Sequence, residues 1–150
     1  RAPLANEKGD PLPDDEIKRR LTHEYVHVVV RHIVNDKISW WLNEGLAETL
    51  SRNFDAGIQD LVRQAYANNT AFPYADLEGH QLKKLSPDTL RLAYAQSQAA
   101  VNLLWTRFGQ KKMCDMLSLL AQGMGQEEAL RQVYRRSYSM LERDVAAALR

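Results

Sequence analysis

A single cysteine, Cys114, is all that the 150 residues contain. An internal disulfide is therefore excluded, and the lone thiol fits a buried position. An excess of one charge is missing too, because 20 Lys and Arg face 19 Asp and Glu for a net charge of +1. That balance leaves no electrostatic footprint for nucleic acid or an anionic membrane surface. The basic pairs Lys83-Lys84, Lys111-Lys112 and Arg135-Arg136 read as solvated helix faces. No apolar run approaches the length of a membrane span, no secretory leader is recognisable, and there is neither a repeat nor a low-complexity tract. The length suits one domain with a fair core.

What is present is chemistry concentrated near the start of the chain. His23-Glu24-Tyr25-Val26-His27 sets two histidines four apart with an acid directly after the first. On a helix such a pair lies about 5–6 Å apart at Cβ, so both imidazoles reach one ion at roughly 2.0–2.1 Å. On a strand the same pair would be about 13 Å apart and could not share it. Residues 25–30 are β-branched and aromatic and read locally as a strand, so propensity and motif disagree. The apolar pattern of Ile17, Leu21, Val28, Val29 and Ile33 continues at helical spacing from Asp14, a candidate N-cap after Pro13, and decides for a helix. Valines on nearly every side predict that this helix is buried. Glu24 lies about 100° round the helix from His23, where it can face a water on the metal and act as general base.

A catalytic zinc tetrahedron needs a third protein ligand. Glu44 and Glu48 are the candidates. Ser39 is placed to cap a helix from Trp40 to about residue 52, on which the two acids share a face. One can bind the metal while the other braces a ligand imidazole through its second nitrogen.

His23-Glu24-Tyr25-Val26-His27 followed by Trp41-Leu42-Asn43-Glu44-Gly45-Leu46-Ala47-Glu48 resembles the gluzincin pattern of the aminopeptidase N and thermolysin clans, and most nearly the peptidase MA-like family of bacterial domains. The resemblance implies that His23, His27 and Glu44 bind Zn2+, that Glu24 is the catalytic base, and that Glu48 stands behind the ligands. The interval from His27 to Glu44 is slightly shorter than in aminopeptidase N, which a shorter connecting loop absorbs. Tyr94-Ala95-Gln96-Ser97 resembles that family's later helix, so the resemblance gives Tyr94 the oxyanion-stabilising role. It also implies a peptide or protein substrate, and the cell envelope or the exterior is favoured over the cytoplasm.

Along the chain, residues 1–13 form a polar segment with a turn at Gly9-Asp10-Pro11, and residues 14–150 form a single helical domain. Helices are expected to about residue 35, over 40–53, and from Ile58 to near Asn68-Asn69. Residues 70–85 are expected to be a long loop that could wall the cleft. Further helices are expected from Ser86-Pro87 to a stop at Gly109, over 110–122 and 126–136, and from a Ser139 cap to Leu149. Trp40 and Trp41 read as core and rim, and His32 and His80 as surface histidines. The fold class is all-α, with zincin-like metal helices and a C-terminal helical bundle. Gluzincins usually bind peptide along a sheet upstream of the metal helix, and the chain has no room for one before His23. It opens at Arg1, so it is expected to be part of a longer protein with further domains. The leading expectation is a zinc metallopeptidase. The alternative is a helical peptide- or protein-binding module with a structural or vestigial metal site, against which the intact Glu24 speaks; hydrolysis of a non-peptide amide or ester would use the same residues.

Overall fold

A computed structural model describes residue 5 and residues 9–79 and 85–150; His80 and the Lys83-Lys84 pair lie outside the described residues. Among the described residues there are six helices: α1 Asp14–Val34, α2 Trp40–Ser51, α3 Ala56–Ala67, α4 Pro87–Ala121, α5 Gln126–Tyr134 and α6 Tyr138–Ala148. The fold is all-α. The single bridge pairing Ala5 with Pro11 is the only β-type contact among the described residues, and it brackets Gly9 at φ 86°.

Helix α4 is the axis of the molecule, and each of the other five helices packs against it, with α2 in the most extensive contact. Its stretch of Ala93, Ala95, Ala99 and Ala100 is buried. Small side chains there let other helices approach its backbone closely. The chain breaks its helical path at Gly109, φ 82° and ψ 167°, a conformation essentially reserved for glycine. The expected stop is thus present as a kink between 87–108 and 110–121.

Helix α1 adopts the conformation that the histidine spacing requires, and packing explains why propensity loses. Val26, Val30 and Val34 recur at four-residue spacing and are buried in the common core. The expectation of a helix buried all round is not met. Tyr25 is 67% exposed and Val28 65%, with Leu21, Val29 and Ile33 also exposed, because the described chain covers one side of α1 only. Asp14 is not its N-cap either. Pro13 takes that position without a side-chain bond, and Asp14, Asp15 and Glu16 form an acidic first turn that complements the helix dipole.

Four further local expectations are corrected. Ser39 is the N-cap of α2 but its hydroxyl makes no capping bond. Instead the backbone N–H groups of Trp40 and Trp41 donate to the carbonyls of Glu78 (3.1 Å) and Leu77 (3.0 Å). Residues 70–79 therefore seal the start of α2 and do not wall the cleft. Tyr74 and Leu77 from this loop are fully buried, and buried Gln96 holds it by accepting from the Phe72 N–H (2.9 Å) and donating to the Phe72 carbonyl (3.2 Å). Ser137, not Ser139, caps α6 by accepting from the Met140 N–H. Cys114 is exposed, since Met113, Met116, Leu117 and Leu120 take the inward face of α4 and leave position 114 outside. Trp41 is fully buried and Trp40 partly so; His32 is exposed, as expected.

Candidate metal centre

The site forms where α1 crosses α2 against α4. Glycine at position 45 sets the separation of α2 from α4: a Cβ there would lie 2.4 Å from the Ser97 carbonyl oxygen and 2.5 Å from Val101 Cγ2. Only a residue without a side chain permits this approach, and its neighbour Glu44 is carried with it. At the other end of α2, buried Gln98 donates to the carbonyls of Glu48 (3.4 Å) and Arg52 (3.3 Å). The acid-bearing helix is thus fixed at its middle and its end.

Across this junction the Nε2 atoms of His23 and His27 lie 3.1 Å apart, and Glu44 Oε2 lies 3.4 Å from each. Ligands held at 2.0–2.1 Å round a tetrahedral ion are about 3.3–3.4 Å from one another, so the three atoms have the separations of one face of a zinc tetrahedron. Glu44 Oε2 is buried and makes no hydrogen bond among the described residues, although an imidazole Nε2 lies 3.4 Å away on each side. Chemistry and spacing of the donor set therefore fit a metal ion. Among the described residues, His23, His27 and Glu44 form the one cluster of potential ligands with this geometry.

The second nitrogen of each imidazole meets an oxygen. His27 Nδ1 lies 3.1 Å from Asn43 Oδ1, an acceptor, which puts the proton on Nδ1 and turns the Nε2 lone pair inward. His23 Nδ1 lies 3.3 Å from Glu48 Oε1, an ion-pair contact without hydrogen-bond geometry, in which the carboxylate charge favours a proton on Nδ1. Arg52 in turn pairs with Glu48 Oε2 at 2.5 Å, one helical turn on. Asn43 and Arg52 escaped the sequence reading. Arg52 is legible as the i+4 partner of Glu48, whereas an amide at position 43 has no sequence signature of a group that braces an imidazole.

Electrostatics agree with this placement. The carboxylates of Glu44 and then Glu48 raise His23 to about 9 despite its partial burial. Glu44 likewise raises His27. Burial works against the charge on Glu44, yet the two imidazoles outweigh it and leave its pKa lowered.

Glu24, exposed on α1, and Tyr94, half-buried on α4, line one open cleft of about 670 Å³ together with His23 and Glu48. Burial pushes the Tyr94 phenol up to about 12, with the negative charges of Glu44, Glu48 and Glu24 adding to the effect, so it stays a protonated donor at neutral pH. Its ring stacks edge-on against Trp40 at 5.0 Å. The six site residues expected from sequence thus gather at one end of the molecule. No described helix is long and apolar enough to cross a membrane.

No curated protein and no solved structure matches the chain. The sequence model of the Peptidase MA superfamily, however, matches residues 15–150, from the first turn of α1 to the last residue. With the match running through α1, α2 and the rest of the helical bundle, the chain belongs to the Peptidase MA superfamily.

Proposed function

We propose that the protein is a zinc-dependent peptidase in which His23, His27 and Glu44 hold the metal. The observation that carries this reading is the convergence of two imidazole nitrogens and one carboxylate oxygen at 3.1–3.4 Å, beside an acid that is not part of the triangle. A bound zinc ion would supply Lewis acidity, making water nucleophilic near neutral pH and polarising a carbonyl. The remaining work falls to side chains. Asn43 and Glu48 keep the His27 and His23 Nδ1 protons in place, so that both Nε2 lone pairs point to the same spot. The Glu24 carboxylate takes the proton of the attacking water and returns it to the leaving amine. The Tyr94 hydroxyl donates to the oxygen on which negative charge develops.

An exposed acid adjacent to the donor set distinguishes this arrangement from a closed structural site, which fills its fourth position with protein and has no use for a base. Replacing Glu24 by Gln keeps size and hydrogen bonding but removes the base. Peptide turnover by the zinc-loaded variant should fall by roughly 10²–10⁴ while its zinc content is unchanged. Turnover equal to that of the wild type, with zinc retained, would refute the role of Glu24.

A further inference from the structure

The cleft beside the metal site has two unlike walls. Every residue that α1 and α2 contribute to it, His23, Glu24 and Glu48 among them, is charged or ionisable. The other wall comes from α3 and α4, and Arg91 is the only charged residue that these two helices bring to it. Its body is formed by Ile58 and Leu61 on α3 and Leu90 on α4. The apolar stripe of α3 explains this placement. Ile58, Leu61, Val62 and Ala65 recur at helical spacing, and Val62 and Ala65 are buried, whereas Ile58 and Leu61 pack against the core and stay partly exposed. One end of the stripe thus opens into the cleft. On α4, Leu90 lies one turn before Tyr94 on the same face, about 5–6 Å from it at Cβ. A single exposed aliphatic residue needs no explanation, but three from two helices lining one cavity of about 670 Å³ give it an apolar side.

We propose that this wall receives a large aliphatic or aromatic side chain of the substrate, close to the bond that is cut. The inference rests on the peptidase reading and gives that reading a substrate class. With Tyr94 donating to the reacting carbonyl, Leu90 stands roughly one to two residues of extended peptide away, at about 3.3–3.6 Å per residue. The ionisable wall of α1 and α2 meets the polar peptide backbone, so main chain and side chain each face a surface of matching polarity. Binding there is driven by the removal of apolar surface from water on both partners.

Calorimetric binding of blocked pentapeptides to the Glu24→Gln chain, with zinc present, tests this without turnover. The peptides carry Ala, Leu, Phe, Asp or Lys at the central position, between glycines. Leu and Phe should bind about five- to tenfold more tightly than Ala, with a more negative heat-capacity change. Salt at about 0.5 M should not shrink that ratio. Leu90 is not part of the buried core among the described residues, so Glu24→Gln/Leu90→Gln probes the wall without removing a core side chain. Leu61→Ala in the same background probes its α3 side. In one variant or both, the ratio of Leu to Ala affinity should fall below about threefold. Equal affinity for Ala, Leu and Phe, tighter binding of Asp or Lys than of Leu, or a ratio that survives both substitutions overturns the proposal. The two readings fail separately. A Leu preference in binding, with no hydrolysis of any of the peptides by the wild type, overturns the peptidase and leaves the wall. Hydrolysis of the Ala and Leu peptides at equal rates, with equal binding, does the reverse.

Discussion

Replacing Gly45 by alanine adds one methyl group at the tightest point of the molecule. The new Cβ would meet the Ser97 carbonyl oxygen at 2.4 Å, Val101 Cγ2 at 2.5 Å and the Ser97 carbonyl carbon at 2.9 Å. Since ordinary contact begins near 3.4 Å, α2 and α4 must part by about 1 Å. The Val101 methyl can turn away, but the Ser97 carbonyl is part of the α4 backbone and cannot. Overpacking of this kind costs about 1–3 kcal/mol, and backbone contact places it at the upper end. Alanine offsets roughly 1 kcal/mol of that through its better helix propensity. The expected net loss is about 2 kcal/mol, or a fall in Tm of about 4–8 °C for a chain of this size. Because Glu44 precedes Gly45 and Glu48 follows it on the same helix, the shift also moves the proposed ligand Glu44 by a distance comparable with the roughly 0.2 Å tolerance of metal sites or larger. Urea unfolding and zinc titration of the variant measure both effects. Stability within about 0.5 kcal/mol of the wild type, together with unchanged zinc affinity, would refute the close approach of α2 and α4.

Two other perturbations follow from the same geometry. Asn43→Ala removes the acceptor at His27 Nδ1, and zinc affinity should fall about 10–100-fold in a competition titration with a fluorescent chelator; an unchanged affinity would mean that the amide does not orient the ring. Glu16, hydrogen-bonded by Arg19 and Arg20, has its pKa lowered from 4.5 to about 2. A depressed carboxylate contributes stability that is fully present above pH 4.5 and is lost as the pH falls towards 2. Urea midpoints of wild type and Glu16→Gln should therefore differ at neutral pH and converge as the pH falls through about 2, and a gap that does not depend on pH would exclude the ion-pair origin.

Much of the site was legible because its geometry is local. Two histidines four apart can share an ion only on a helix, and that requirement overrode the strand propensity of residues 25–30, as the buried Val26, Val30 and Val34 bear out. Glu44 and Glu48 were legible for the same reason, since four-residue spacing on α2 places both towards α1. What escaped the sequence depends on contacts between distant segments. The cap of α2 is provided by carbonyls of residues 77 and 78, and a backbone carbonyl has no sequence signature, so Ser39 was credited with a bond that it does not make. The exposure of Val28 and Val29 was not legible, because an apolar residue records a preference for burial, whereas the neighbours that would bury it lie elsewhere. Cys114 failed likewise, being a small apolar residue on the outward side of a helix whose inward side was already filled by methionines and leucines. Gly45 stood in the recognised motif, but its purpose, a close helix–helix contact, appeared only with Ser97 opposite it.

The claim on which the rest depends is that His23, His27 and Glu44 form one zinc site. Zinc measured by elemental analysis after equilibration with the ion and removal of excess tests it directly, for the wild type and for Glu44→Ala side by side. The account predicts about one zinc per chain in the wild type and its loss or marked weakening in the variant, because removal of one of three protein ligands leaves only two imidazoles. No zinc in the wild type, or equal zinc in both proteins, would contradict it.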